Sequence, residues 1–219
     1  MKANFLFGGI TYIPDVPSIL KSRPISEHNN NSILLKLDKK RHFVFIDDKI
    51  KFRDKSNKLI GRGAMTQPHR LKFMDMYFSN PICDLGHVGK NNSNANWLKP
   101  KLSIVEHLKY KFILSLEGND VATNLKWIMS SNSIAVMPTP KFETWFMEGK
   151  LIPDFHYIHI EDDYSNLEQK LSYFIEHTDK AEAIIKNAHN FVQEFQDKKT
   201  EDLLALLVLE KYFKCTPVN

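Results

Sequence analysis

The sequence predicts an α/β fold, a parallel sheet with crossover helices, on three observations from its second half. Tyr110–Leu116 (YKFILSL) is an apolar run of strand length, as expected of a strand buried on both faces. Ser133–Met137 (SIAVM) and His156–Ile160 repeat that pattern. Helix-compatible sequence separates the three, and alternation of this kind is the signature of a parallel sheet joined by right-handed crossovers.

Along the chain, the first half reads as short strands and loops. Phe5–Phe7, Ser32–Leu37 and the Phe-Val-Phe-Ile run of His42–Ile46 are apolar, and Lys49–Phe52 is a hairpin partner for the last across Asp47-Asp48. Leu59-Ile60 leads into Gly61-Arg62-Gly63, read as a loop. A helix starts near Pro68, since proline suits the first helical turn, with Leu71, Met74 and Phe78 on one face. Asn29–Asn31 and Lys90–Asn96 are polar and loop-like, and the second is the natural boundary between a part spanning residues 1–100 and a part spanning 101–219.

In the second part, Glu117-Gly118-Asn119-Asp120 is a turn ending in an N-cap residue, Asp120, with a helix over Val121–Ser130. Thr139–Gly149 is a proline-started loop and short helix. Leu167, Leu171, Phe174 and Ile175 sit at helical spacing, as do Ile184, Ala188, Phe191, Val192 and Phe195. The last helix, Glu201–Phe213, is apolar on most sides and is expected to be largely buried. The sheet would bind ligands at the carboxyl ends of its strands. That places Glu117–Asp120, Pro138–Glu143 and the residues after Ile160 on one rim.

Composition narrows the function classes. No apolar run is long enough for a membrane-spanning helix, and Phe5–Ile13 is broken by glycines with no cleavage pattern after it. Cys83 and Cys215 match no metal spacing and read as free thiols of a reducing, intracellular compartment. Residues 1–100 hold 17 Lys+Arg against 8 Asp+Glu, whereas residues 101–219 hold 13 against 18. All five arginines (Arg23, Arg41, Arg53, Arg62, Arg70) lie in the first 70 residues. Arginine suits bidentate phosphate contact, so the basic half suggests a phosphorylated ligand or an anionic surface, against the simpler reading of a solvated basic face.

Three segments carry candidate chemistry. In Glu117–Asn124, Gly118 would let the backbone approach a ligand, the following helix would offer free N–H groups to an anion, and Thr123 and Asn124 add donors. In Gly61-Arg62-Gly63-Ala64, flanking glycines would expose an arginine able to clamp a phosphate and steady a departing diphosphate, with His69 and Arg70 nearby. In Pro138–Gly149, Glu143 is a carboxylate placed to accept from a ribose. Each has a bland alternative: an ordinary turn, a surface arginine, a solvated glutamate. The sequence has no G-x-x-x-x-G-K-[ST], G-x-G-x-x-G or G-x-S-x-G. It also has no Asp-x-Asp to hold a divalent metal. Glu161-Asp162-Asp163 reads as acidic charge at a helix start.

The run YKFILSLEGNDVATNLKWIMSSNSIAVMPTPKFETWFMEGKLIPDFHY (Tyr110–Tyr157) closely resembles the family 90 glycosyltransferases, specifically the bacterial branch called lipopolysaccharide A proteins. Their eukaryotic relatives are the protein O-glucosyltransferases and fungal capsule-associated proteins. Val16-Pro17-Ser18, Lys21–Ile25, Asn31–Leu35 and Gly61-Arg62-Gly63-Ala64…Gln67…His69-Arg70 extend the resemblance over almost the whole chain.

The resemblance implies a GT-B-like architecture of two Rossmann-type domains with the active site between them. Here that means a C-terminal donor domain and a reduced N-terminal, acceptor-side domain, since family members carry a longer region ahead of Phe5–Pro17. It implies a UDP-hexose donor, inversion at the anomeric carbon and no metal or other cofactor. Arg62 and Arg70 would face the diphosphate, with Gly61 and Gly63 beside them. Gly118, Asn119, Ala122, Thr123 and Asn124 would surround the nucleotide end within a pocket-lining segment from Glu117 through Asp120 to Lys126, and the loop to Glu143 would lie against base or ribose. The branch tends to carry Gly-Asp where this chain has Gly8-Gly9, which leaves Asp15 as the nearby carboxylate for the base. The acceptor implied is a lipooligosaccharide core sugar at the inner face of the cytoplasmic membrane, where the protein would sit peripherally. The rival reading is a shortened UDP-sugar-binding pseudoenzyme without turnover. Nucleic-acid binding fits less well, because the basic residues are not interleaved with aromatics in a known module.

Overall fold

The computed structural model describes residues 3–89 and 94–216. Three short strands, β1 (Phe5–Leu6), β2 (Ser18–Leu20) and, after β3 (Ser22–Pro24), β4 (Ser32–Leu34), form a small parallel sheet in the order β1-β2-β4. A single helical turn, α1 (Lys39–His42), follows. Then come β5 (Ser56–Gly63), α2 (Pro68–Tyr77), β6 (Cys83–His87), α3 (Ile104–His107), β7 (Tyr110–Leu114), α4 (Leu125–Met129) and β8 (Ile134–Met137). The chain closes with β9 (Phe142–Thr144), β10 (Ile158–His159), α5 (Leu167–Glu176), α6 (Thr178–Gln193) and α7 (Lys198–Cys215).

The larger sheet is all parallel, in the order β10-β8-β7-β5-β6. Its strands lie on both sides of residue 100. Alternation along each strand sends Leu59, Phe112, Val136 and Ile158 to one apolar layer, with α2, α5 and the start of α6. It sends Ile60, Ile113, Ala135 and Met137 to the other, with α4 and the end of α6. The α/β class predicted from the apolar runs is therefore what the chain builds, with helices on both faces.

Several elements differ from the sequence expectation. Gly61-Arg62-Gly63 is not a loop but the end of β5, and neither glycine has a positive φ. Gly61 is required by packing, since a Cβ there would meet the Leu85 and Leu114 side chains at 2.9 and 3.1 Å. The His42–Phe52 hairpin does not form. Asp48 is instead buried against Lys55 (2.7 Å) and accepts from the Asn132 N–H (3.0 Å). That draws residues 43–50 across the sheet as an extended cover whose Phe43–Ile46 side chains pack on the core. β2, β3 and β6 carry too few apolar residues in a row to be read from pattern alone. Of the stretch Lys90–Asn96, residues 90–93 lie outside the described residues.

The last helix is also less buried than its composition predicts. α7 packs one stripe, Glu201, Ala205, Val208 and Tyr212, against the small sheet. Lys36 and the Trp145 indole N–H satisfy the buried Glu201 carboxylate at 2.6 and 2.9 Å, and Tyr212 accepts from the Asn4 N–H while donating to the Pro17 carbonyl. Leu203, Leu204, Leu206 and Leu207 remain exposed. The small sheet is tied to the rest by the antiparallel β3–β9 pair, where Arg23 forks onto Glu143.

Candidate functional site

Strand order marks the candidate site. The direction of strand addition reverses between β5 and β7, and in an open α/β sheet such a switch point opens a crevice beyond the strand carboxyl ends. There the structure has a cleft of about 870 Å³. One wall follows the carboxyl ends of β5 and β7, through Gly61–Gln67 and Leu116–Asn124. The opposite wall follows the carboxyl ends of β1, β2 and β4, through Phe7–Gly9, Lys21, Leu37, Asp38 and Arg41. Two parallel sheets thus face one another across the cleft. A second cavity of about 610 Å³ adjoins it beyond β7 and β8, sharing Gly9, Gln67, Gly118 and Asn119.

The arginines sort cleanly. Arg23 pairs with Glu143, Arg53 with Glu182 and Arg62 with Asp84. Among the described residues, Arg41 and Arg70 are in no ion pair, and both line the larger cleft. Arg70 is held firmly nonetheless. Nε donates to the Glu117 carbonyl (2.8 Å), Nη2 to Leu116 (2.7 Å) and Nη1 to Ala64 (3.0 Å). A guanidinium has five N–H groups, so two remain, one on each terminal nitrogen, in the fork that suits a phosphate. Burial lowers the Arg70 pKa, the only notable help to its charge coming from the nearby Tyr164 hydroxyl. Gly118 lies alongside, where a Cβ would stand in van der Waals contact with Nη2 at 3.6 Å.

Arg62 is placed differently from the sequence expectation. Its side chain is only 7 % exposed, and it is bound to Asp84 at 2.7 Å and to the Asp84 carbonyl at 2.6 Å. Burial pushes the Asp84 carboxyl upward, but hydrogen bonds from Lys99, Arg62 and Tyr110 outweigh it and hold the group at about 2. Arg62 borders the cleft as a neutralised cation. Its ion pair joins β5 to β6, and the Tyr110 hydroxyl on Asp84 brings in β7.

The Glu117–Lys126 segment is also rearranged. The expected helix begins only at Leu125 and spans Leu125–Met129, so Val121–Asn124 is a bent, turn-containing stretch. Asn124 caps nothing: its side-chain amide donates to the Leu114 carbonyl and its oxygen accepts from Ser115. Thr123 lines the larger cleft, Ala122 the smaller, and Gly118 and Asn119 border both. Asn119 accepts from Gln67. Asp120 does not cap a helix either, since its carboxylate binds Lys21 (2.7 Å) and Ser22 (2.6 Å) across the cleft floor. Burial raises its pKa, but these bonds and the Lys21 charge leave it lowered. Glu117 accepts from the Lys141 and Phe142 N–H groups, fixing the loop after β8, yet burial outweighs them and raises its pKa.

Three of the sequence-predicted residues lie away from the cleft surface. Lys126 is fully buried in an ion pair with Glu148. Glu143 is occupied by Arg23 and lines neither cavity. Asp15 is exposed, lines neither cavity, and contributes its carbonyl to Asn31. Sequence reasoning assigned no site role to Asp38, Arg41 or Lys21 on the small-sheet wall, although Lys21 lies in a segment that carries the family resemblance and Arg41 is one of the five arginines. Among the described residues no three His, Cys, Asp or Glu side chains gather at metal-binding distance, and no helix is long and apolar enough to cross a membrane.

His42, beside this wall, is buried. Desolvation, with the Lys21 and Lys126 charges, takes its pKa down to about 4 against the opposing Asp38 and Asp120. A folded pKa below the unfolded 6.5 gives stability that is complete above pH 6.5 and is lost as pH falls toward 4. Urea midpoints between pH 7 and pH 4 are therefore expected to fall more steeply for the native chain than for His42→Asn. Parallel curves would show that His42 does not titrate in this window.

The sequence model of Glycosyl transferase family 90 matches residues 36–216. A protein of Dichelobacter nodosus named O-glucosyltransferase LpsA is 46 % identical over 207 residues, which is 94 % of this chain and 65 % of the relative's length.

Proposed function

We propose that this chain, which belongs to glycosyl transferase family 90, transfers a hexose from a UDP-sugar to an acceptor hydroxyl, with inversion and without a metal. The observation that carries this reading is the sorting of the arginines. Among the described residues, two of the five have no carboxylate partner, and both line the cleft at the facing carboxyl ends of two parallel sheets. Unneutralised guanidinium groups on a half-enclosed wall suit a diphosphate. The GT-B-like arrangement of two domains about a shared cleft fits the same geometry.

In this reading the diphosphate lies along Arg70 and Gly118 in the larger cleft. The nucleoside enters the smaller cavity, whose walls include Met137, Pro138, Pro140 and Phe142. Arg70 receives the negative charge that grows on the leaving diphosphate, and its bonds to three carbonyls hold it in place beforehand. Arg41 closes on the same charge from the opposite wall. Glucose is the proposed sugar because the Dichelobacter nodosus relative is named an O-glucosyltransferase. The resemblance to the lipopolysaccharide A branch supports a lipooligosaccharide core acceptor at the inner face of the cytoplasmic membrane, where the basic side of the protein would meet anionic headgroups.

A second reading, UDP-sugar binding without turnover, is favoured by one observation: Asp15, the carboxylate expected as base, lies away from both cavities. Calorimetry with UDP and UDP-glucose, with and without chelator, tests the donor site itself. We expect micromolar binding that the chelator leaves unchanged. No binding by a folded sample would overturn both readings, and binding abolished by chelator would overturn the metal-free one.

A further inference from the structure

The cleft contains a carboxylate free to act as a base, and it is not the one the sequence suggests. Among the described residues the two cavities are lined by five carboxylates: Asp38, Glu117, Asp120, Glu148 and Asp162. Glu117 is engaged by two backbone N–H groups, and Glu148 is paired with buried Lys126. Asp162 stands at the rim of the smaller cavity beside Lys141. In the larger cleft Asp120 is held by Lys21 and Ser22. Its pKa is lowered, which weakens it as a proton acceptor.

Asp38 differs from all of these. Its side chain is 43 % exposed. Among the described residues its one ion-pair partner is the His42 ring at 3.7 Å, and that ring is neutral near pH 7. It follows β4 and lines the larger cleft on the wall opposite Arg70. Its backbone is left-handed (φ 53°, ψ 45°), a conformation uncommon outside glycine that concentrates at functional sites.

We propose that Asp38 is the general base of the transfer, an assignment that rests on the donor-site reading above. The acceptor oxygen forms its bond to the anomeric carbon as the bond from that carbon to the diphosphate oxygen breaks. The bonding pair leaves with UDP, and the acceptor's proton passes to the Asp38 carboxylate. Asp120, locked by Lys21 and Ser22, holds the two walls in register.

The native chain, Asp38→Asn and Asp38→Gly are compared; both replacements tolerate the left-handed backbone. UDP affinity is measured by calorimetry. UDP release from UDP-glucose is measured with methyl β-glucoside or water as hydroxyl source, and separately with sodium azide, a nucleophile that brings no proton. We expect UDP affinity within about twofold in all three proteins, and hydroxyl-dependent release lower by about 10²-fold or more in both variants. Azide should restore release by Asp38→Gly, with glucosyl azide as product. Unchanged hydroxyl-dependent release in the variants overturns the assignment. So does loss of azide turnover together with hydroxyl turnover while UDP still binds, because that is the behaviour of a structural residue. A native chain that binds UDP but releases none from UDP-glucose also overturns Asp38 while sparing the donor site. A native chain that fails to bind UDP brings down the donor reading and this one with it.

Discussion

Arg70→Ala is expected to lower kcat/KM for UDP-glucose by about 10²- to 10³-fold, the usual loss on removing one donor aimed at developing negative charge. The size follows from how the residue is held. Three of its N–H groups are fixed on the Ala64, Leu116 and Glu117 carbonyls, which orients the remaining two before any ligand arrives. No carboxylate within ion-pair distance among the described residues offsets its charge, whereas Arg62, nearby, spends its own on Asp84. Arg70→Lys keeps the charge but loses the fork, and should recover only part of the loss. Initial rates over a range of UDP-glucose, with melting curves to confirm folding, check both variants. Activity within about threefold of native in Arg70→Ala would remove this residue from the diphosphate site.

The largest effect on stability is expected at Glu148. Its carboxylate is buried against Lys126, and it also accepts from the Thr144 N–H (2.6 Å) and hydroxyl (3.0 Å). Glu148→Ala strands a fully buried ammonium group with only the Phe43 and Phe146 rings beside it. Breaking such a pair destabilises by about 3–5 kcal/mol, or roughly 6–20 °C in melting temperature for a chain of this size. Lys126→Met should be milder, because Glu148 keeps its Thr144 bonds and a methionine fills the lysine's space without a charge. Thermal melts of the two variants test the asymmetry. If Lys126→Met proved the worse, the carboxylate and not the ammonium would be the group that cannot stand alone. Lys126 was expected in the donor pocket, so UDP affinity in Lys126→Met is also informative, and near-native affinity is the outcome its burial predicts.

Much of the larger sheet was legible because local pattern suffices there. β7 and β8 are buried on both faces and therefore apolar throughout, and Pro68 marks the start of α2. α5 and α6 follow their apolar spacing closely. Legibility stopped where a segment's role depends on what it meets. β2 and β3 are brief and flanked by polar residues, and they become strands only by pairing with β4 and β9. Phe43–Ile46 looks like a strand yet finds no partner, because Asp48 is drawn instead to Lys55 and Asn132. The leucines of α7 predict burial, but a helix buries only the stripe for which a neighbouring surface exists, and here that surface is the small sheet.

By itself the sequence determined the α/β class and the family to which the chain belongs, and it pointed to one rim as the candidate site. Only the tertiary structure decided which charges on that rim are free. Arg62 and Arg70 lie in one short segment and look equivalent in sequence. One meets a carboxylate 22 residues away, and the other meets carbonyls alone, one of them six residues away and two some 46 residues away. The same holds for Asp120, captured by Lys21 and Ser22 from the far wall, and for Asp38, left without a Lys or Arg partner among the described residues. A side chain's type fixes its charge, but its availability depends on partners distant in the chain. Those partners are chosen by folding, and local spacing carries no record of them.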